Sequence, residues 1–177
     1  MRSFRELFAK LRHLDDTQRH ILRQFNLSPA HNGKAVSVKS LAERLGLSVY
    51  QVELPRSMAG RLVKDAFSDT GYAIEVNCRH NVTSRRFTVL HELGHYFLHT
   101  GDDDPLADPM LLSRGDDAFY FDLKQEREAN DFADILLFGD GALEAASSLF
   151  GGDVQQLAKF FGVTENMITV ALRKFNG

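Results

Sequence analysis

Cysteine is almost missing from this chain: Cys78 is the only one in 177 residues. That excludes an internal disulfide and any cysteine-built zinc knuckle, and leads to the expectation of a reducing, cytoplasmic setting. No run of eighteen apolar residues occurs, so no segment is expected to span a membrane. The opening stretch, MRSFRELFAKLRHL, alternates basic and apolar side chains where a secretory leader would need an unbroken apolar run. Without a secretory route the sequon Asn81-Val82-Thr83 carries no expected role. Internal repeats and low-complexity tracts are also lacking.

What is present is a hydrophobic fraction of 44%, enough at this length for one well-buried core. The net charge of −3 is unevenly spread. Residues 1–46 hold nine Lys/Arg against four Asp/Glu, and the remainder holds twelve against twenty. A basic head of this kind could meet nucleic acid or an acidic partner. The solvated face of N-terminal helices explains it more simply, and an acidic protein makes a poor dedicated DNA binder.

Periodicity predicts helices near 3–13 and 17–26, broken by LSPAHNGKAV. SVKSLAERLGLSVYQVEL then reads as a helix capped by Ser37 and stopped by Gly46, with a strand near 48–53. GRLVKDA and GYAIEVN read as two more strands around the turn FSDTG. A helix capped by Thr83 or Ser84 runs to about His99. Residues 101–122 read as a long Asp-, Pro- and Gly-rich loop, of a length uncommon unless functional. Helices follow at about 123–138, 141–149, 153–161 and 164–175. The expected fold is α+β, with a small antiparallel sheet of about three strands packed on a mainly helical, zincin-like domain. Residues 1–35 form an N-terminal helical extension in this reading, and 36–177 the main domain, with 153–175 a helix-turn-helix-like part.

Within RRFTVLHELGHYFLHTG, His91-Glu92-x-x-His95 stands out. Helix positions i and i+4 share a face, so His91 and His95 can present both imidazoles to one ion. Neutral imidazoles leave the charge of a bound Zn²⁺ largely unquenched, so bound water acidifies. Glu92 beside them can take that water's proton and return it to a leaving amine. Composition alone produces this motif about once in seventy such sequences. The surroundings strengthen it: Phe87, Val89, Leu90, Leu93, Phe97 and Leu98 make the helix apolar nearly all round, and polar groups buried there need partners. Gly94 is a poor helix former, and is easier to explain if another backbone comes close.

Two histidines do not complete a site. A third histidine six residues after His95 would follow a further glycine, but those positions hold Gly101 and Leu98. A carboxylate from a second helix remains. On KQEREANDFADILLF, stepping about 100° per residue, Glu126 lies about 50° from the centre of the apolar face and Glu128 about 110°. Asp131 and Asp134 are further out, and Asp122 falls at the helix start. Glu126 is therefore the most inward carboxylate, although a first-turn glutamate is also favoured by the helix dipole alone. The small Ala129 and Asn130 would let this helix approach closely, and Asn130 could orient a histidine from behind.

YAIEVNCRHNVTSRRFTVLHELGHYFLH, followed by EREANDFADILL, resembles the ImmA/IrrE family of metallopeptidases over roughly residues 36–175. The resemblance implies zinc held by His91, His95 and Glu126, with Glu92 catalytic. It also implies limited, site-specific cleavage of a helix-turn-helix repressor that switches transcription. The family's later helix often ends L-L-M-P, whereas this chain has Leu136-Leu137-Phe138-Gly139, which leaves the neighbouring cleft's shape open.

The remaining candidates are weaker. The strand Tyr72–Val76 could receive substrate as an added strand, although an ordinary core strand explains its alternation equally well. His80 or Tyr96 could bond a tetrahedral intermediate. His99 reads as a capping or packing residue. DVQQLAKFFGVTENMITVALRKF resembles a helix-turn-helix, but Arg173 and Lys174 lie only at its far end, so packing on the core is favoured over DNA contact. The run Asp102–Asp104 lacks calcium-loop spacing. The sequence is thus read as a cytoplasmic zinc endopeptidase acting on a protein substrate; the same donors also suit Mn²⁺ or Fe²⁺. The alternative is a regulatory protein-binding or ligand-sensing module on the same fold, with little or no proteolysis.

Overall fold

A computed structural model describes residues 3–11, 13–100 and 123–175. The expected loop 101–122 lies outside the described residues. The chain begins with α1 (Phe4–Lys10) and α2 (Asp16–Leu27). Ser3 caps the first, and Asp15 forms a reciprocal capping box with Gln18 on the second. The break that follows is a small hairpin, β1 (Ala30–His31) and β2 (Lys34–Ala35). Asn32 and Gly33 form its turn with φ of 49° and 71°, the Asn-Gly pairing that favours tight two-residue turns. Sequence reading treated this stretch only as a break.

Ser37 caps α3 (Val38–Arg44) as expected, accepting the Ser40 N–H. Gly46 ends it at φ +87°, with Gly46 N–H donating to the Glu43 carbonyl and Leu47 N–H to that of Ala42. That is a Schellman ending. The chain then enters β3 (Ser48–Val52), β4 (Gly60–Lys64) and β5 (Tyr72–Asn77).

These strands lie in the order β3-β5-β4, so the last to form in sequence sits in the middle. β4 runs antiparallel to β5 but β3 runs parallel to it. The expected antiparallel sheet is therefore mixed. The physical reason is the segment 53–59, which carries the chain from one sheet edge to the other before the 65–71 turn brings it back. The Asn77 side chain, fully buried at the end of β5, holds that crossover by donating to the carbonyls of Leu54, Pro55 and Met58. Tyr72–Val76 is thus a central strand with both edges paired, and cannot accept an added strand. The edge beside the next helix is β4.

That helix, α4 (Val82–His99), is capped by Asn81 and not by Thr83 or Ser84: the Asn81 carboxamide oxygen accepts both the Ser84 N–H and the Thr83 hydroxyl. The sheet and α3 cover one side of α4, and α5 (Leu123–Phe138) covers another. Enclosure on both sides explains its nearly all-round apolarity. α5 itself is central, touching α1, α2 and α4, then α6 (Ala142–Leu149) and α8 (Glu165–Phe175). Between those two, α7 (Val154–Phe161) is capped by Asp153.

One hydrophobic core joins all of this, from Phe4, Leu7 and Leu22 through Leu90 and Leu93 to Phe132, Leu136, Phe138 and Phe161. Each such side chain contributes about 1.5–3 kcal/mol when fully buried. Two polar side chains within the core carry several pairings each. The Asn26 amide donates to the carbonyls of Ile135, Leu136 and Gly139, which closes the C-terminal end of α5. Arg86 of α4 donates to the Val36, Phe161 and Gly162 carbonyls, tying α4 to α7. In the helix-turn-helix-like pair α7–α8, Leu157, Phe161, Ile168 and Ala171 face the core, and Lys174 is held between Asp131 and Asp134 of α5 at 2.7 Å each. No helix among the described residues is long and apolar enough to cross a membrane.

Candidate metal centre

Gly94 sets the geometry. A Cβ there would stand 2.9 Å from both the Cα and the carbonyl oxygen of Ala129, and 3.1 Å from the Phe132 Cβ. The two helix backbones touch at this point, which the missing Cβ of Gly94 allows. The contact brings Glu126, one turn before Ala129, and Asn130, one residue after it, against the histidine face of α4.

His91 Nε2 and His95 Nε2 are 3.0 Å apart. Glu126 closes the triangle, with Oε2 3.2 Å from His91 Nε2 and Oε1 3.2 Å from His95 Nε2. Donors bound at 2.0–2.1 Å to one tetrahedral zinc ion would stand about 3.3 Å apart, close to the separation of the two rings and to the distance of each ring from its nearer carboxylate oxygen. A second observation points the same way. His91 Nδ1 lies 3.0 Å from the Asn130 side-chain oxygen, which can only accept. In its neutral form His91 therefore carries its proton on Nδ1 and turns a lone pair toward the Glu126 carboxylate. Two lone pairs at that distance repel unless a cation or proton lies between them. His91, His95 and Glu126 form the one group of three potential ligands found among the described residues.

His95 is held in its neutral form, the one that can ligate: burial, then the neighbouring His91 and His99, push its pKa down to about 4. Glu92 is 8% exposed and faces β4. Burial first, then the Glu126 charge, push its pKa up to about 8, while the Leu62 backbone N–H, donating to it from β4, opposes the rise. This acid stands between the sheet edge and Glu126, where it could exchange a proton with a bound water.

Other candidates fall elsewhere. The Tyr96 hydroxyl pairs with Thr70, and its ring meets Tyr72 edge-on at 5.4 Å, on the sheet side of α4. His80 bonds the Arg56 carbonyl. Neither contact involves Glu92, Glu126 or the two histidines. His99 does reach the centre, with its Nδ1 3.2 Å from His95 Nδ1. Its stride of four from His95 was the available signal.

A helix bearing two histidines and a glutamate, set beside a sheet edge and closed by a carboxylate from a second helix, defines a metallopeptidase-like fold. The profile of a peptidase family described as the IrrE N-terminal-like domain matches residues 42–173, and the chain belongs to that family. No curated protein matches the sequence significantly. Among solved structures, a Mycobacterium tuberculosis transcriptional regulator is similar in fold, with a TM-score of 0.54 at 20% identity. The likeness covers 93% of this chain and 48% of the regulator, so the chain spans about half its length.

Proposed function

We propose that the protein is a zinc-dependent endopeptidase, with His91, His95 and Glu126 as metal ligands and Glu92 as general base. The observation that carries this reading is the cluster of His91, His95 and Glu126, whose facing donor pairs stand 3.0–3.2 Å apart, with a buried carboxyl beside it. When bound, the ion would acidify a water molecule and polarise a peptide carbonyl. The chain's own part is division of labour. Asn130 fixes the His91 ring so that Nε2 faces inward. Glu92 takes the attacking water's proton on its carboxylate and delivers it to the departing amine. The same donor set would accept Mn²⁺ or Fe²⁺.

A peptide substrate would lie extended along the outer edge of β4. The Leu62 N–H points outward from that edge to Glu92, so a strand added there passes the base. Following the resemblance, the substrate is a helix-turn-helix repressor, cut at a limited site in the cytoplasm. The test is a cleavage assay of such a repressor with zinc-loaded protein. Glu92→Gln is expected to keep one zinc ion per chain while cleavage falls about 10²–10⁴-fold. Full cleavage by that variant would refute the mechanism. Unchanged regulatory activity in cells would favour a binding module instead.

A further inference from the structure

His99 and Glu128 lie behind the donor triangle, and neither takes part in it. His95 turns Nε2 toward His91 and Glu126, and its Nδ1 toward His99 Nδ1 at 3.2 Å. On the far side, His99 Nε2 lies 3.2 Å from Glu128 Oε2. The other oxygen of Glu128 accepts from Lys10 Nζ at 2.7 Å, across from α1. The His99 and Glu128 side chains are 11% and 22% exposed, against 45% for Lys10. The chain therefore runs from the centre outward to the N-terminal helix.

We propose that His99 is the positioning residue for His95, and that Glu128 fixes the tautomer in which His99 acts. The reading rests on the metal site proposed above. A carboxylate can only accept, so neutral His99 carries its proton on Nε2 and leaves a lone pair on Nδ1. That lone pair accepts from His95 Nδ1–H, and His95 Nε2 is thereby left unprotonated and aimed at the ion. The opposite tautomer of His99 would set two acceptors face to face at Glu128. It would also place the His95 proton on Nε2, where it blocks ligation. Asn130 does the same for His91 through its side-chain oxygen. Each ligand histidine thus has its own acceptor behind it, Asn130 from α5 for His91 and His99 from α4 itself for His95, and Lys10 holds Glu128 in place. Partners of this kind typically govern metal affinity by 10–100-fold.

The test is zinc titration against a competing chelator for wild type, His99→Phe, His99→Asn and Glu128→Ala, with thermal unfolding of each metal-free protein alongside. His99→Phe keeps a ring but has no acceptor, and is expected to weaken zinc binding about 10–100-fold. In His99→Asn the side-chain oxygen stands where Nδ1 stood, and binding is expected to return to within a few-fold of wild type. Glu128→Ala should weaken binding in the wild-type background and add little on top of His99→Phe. Equal zinc affinity in wild type and His99→Phe would overturn the proposal. So would His99→Asn binding as weakly as His99→Phe, a result that also decides the matter if the phenylalanine variant fails to fold. Absence of zinc binding by the wild type is a different outcome, and would remove the metal site itself.

Discussion

At the scale of single residues, Glu92 and His95 are titratable groups held in the form that burial prefers. In the metal-free protein the folded pKa of Glu92, about 8, lies above its ordinary 4.5. The folded state therefore keeps this proton longer than the unfolded chain does. The resulting stability is complete below about pH 4.5 and is lost as pH rises through 8. His95 has the opposite sign, since its folded pKa of about 4 lies below the ordinary 6.5. Its contribution is present above 6.5 and is lost as pH falls through 4. Urea melts in excess chelator should therefore show wild type losing stability between pH 5 and 8 relative to Glu92→Gln, whose amide does not ionise. Parallel profiles for the two proteins would contradict this account of the buried acid.

Much of the site at this scale could be read from the sequence. The i, i+4 spacing placed His91 and His95 on one face, and the helical wheel turned Glu126 inward, where the structure brings all three within hydrogen-bonding distance of one another. The place of Glu128 could not be read in the same way. Glu128 sits about 110° from the apolar face of its helix, an ordinary place for a solvated glutamate. Only the crossing of α4 on α5 shows that this flank meets His99.

At the scale of elements, that crossing depends on the contact between Gly94 and Ala129. A methyl group at position 94 would fall 2.9 Å from the Ala129 backbone, so α5 must retreat. Overpacking of this kind costs about 1–3 kcal/mol, more than the roughly 1 kcal/mol that alanine gains in helix propensity. Gly94→Ala is expected to lower the metal-free melting temperature and to weaken zinc binding together, because retreat of α5 withdraws Glu126. Unchanged zinc affinity in this variant would show that the helix approach does not position the ligand. The strands teach the converse lesson. Alternation located β3, β4 and β5 along the chain, but strand order is a matter of crossover path. Sequence reading therefore left Tyr72–Val76 open as either a docking or a core strand, whereas the structure makes it central and β4 the edge beside Glu92.

At the scale of the whole molecule, the N-terminal helices share the core of the rest. Phe4 is fully buried in the same cluster as Phe132 and Phe138. The Phe4 N–H donates to Asp140, just past α5, and Arg23 of α2 binds the same carboxylate. Sequence reading set 1–35 apart only as an N-terminal helical extension, because a basic, helical segment reads the same whether it stands alone or covers a core. Phe4→Ala is expected to cost about 3–5 kcal/mol. A fragment of residues 36–177 should lose cooperative unfolding, since the α5 face under α1 and α2 would be bare. Native-like melting of that fragment would show that the first helices are separable from the rest.

The central claim is a single metal site built from both helices, and zinc titration with mass-spectrometric stoichiometry tests it most directly. One ion per chain is expected for wild type and Glu92→Gln, with affinity at least about 100-fold weaker in Glu126→Ala, which on this claim removes a direct ligand and not merely its support. Wild-type zinc affinity in Glu126→Ala, or no stoichiometric zinc in the wild type, would contradict it.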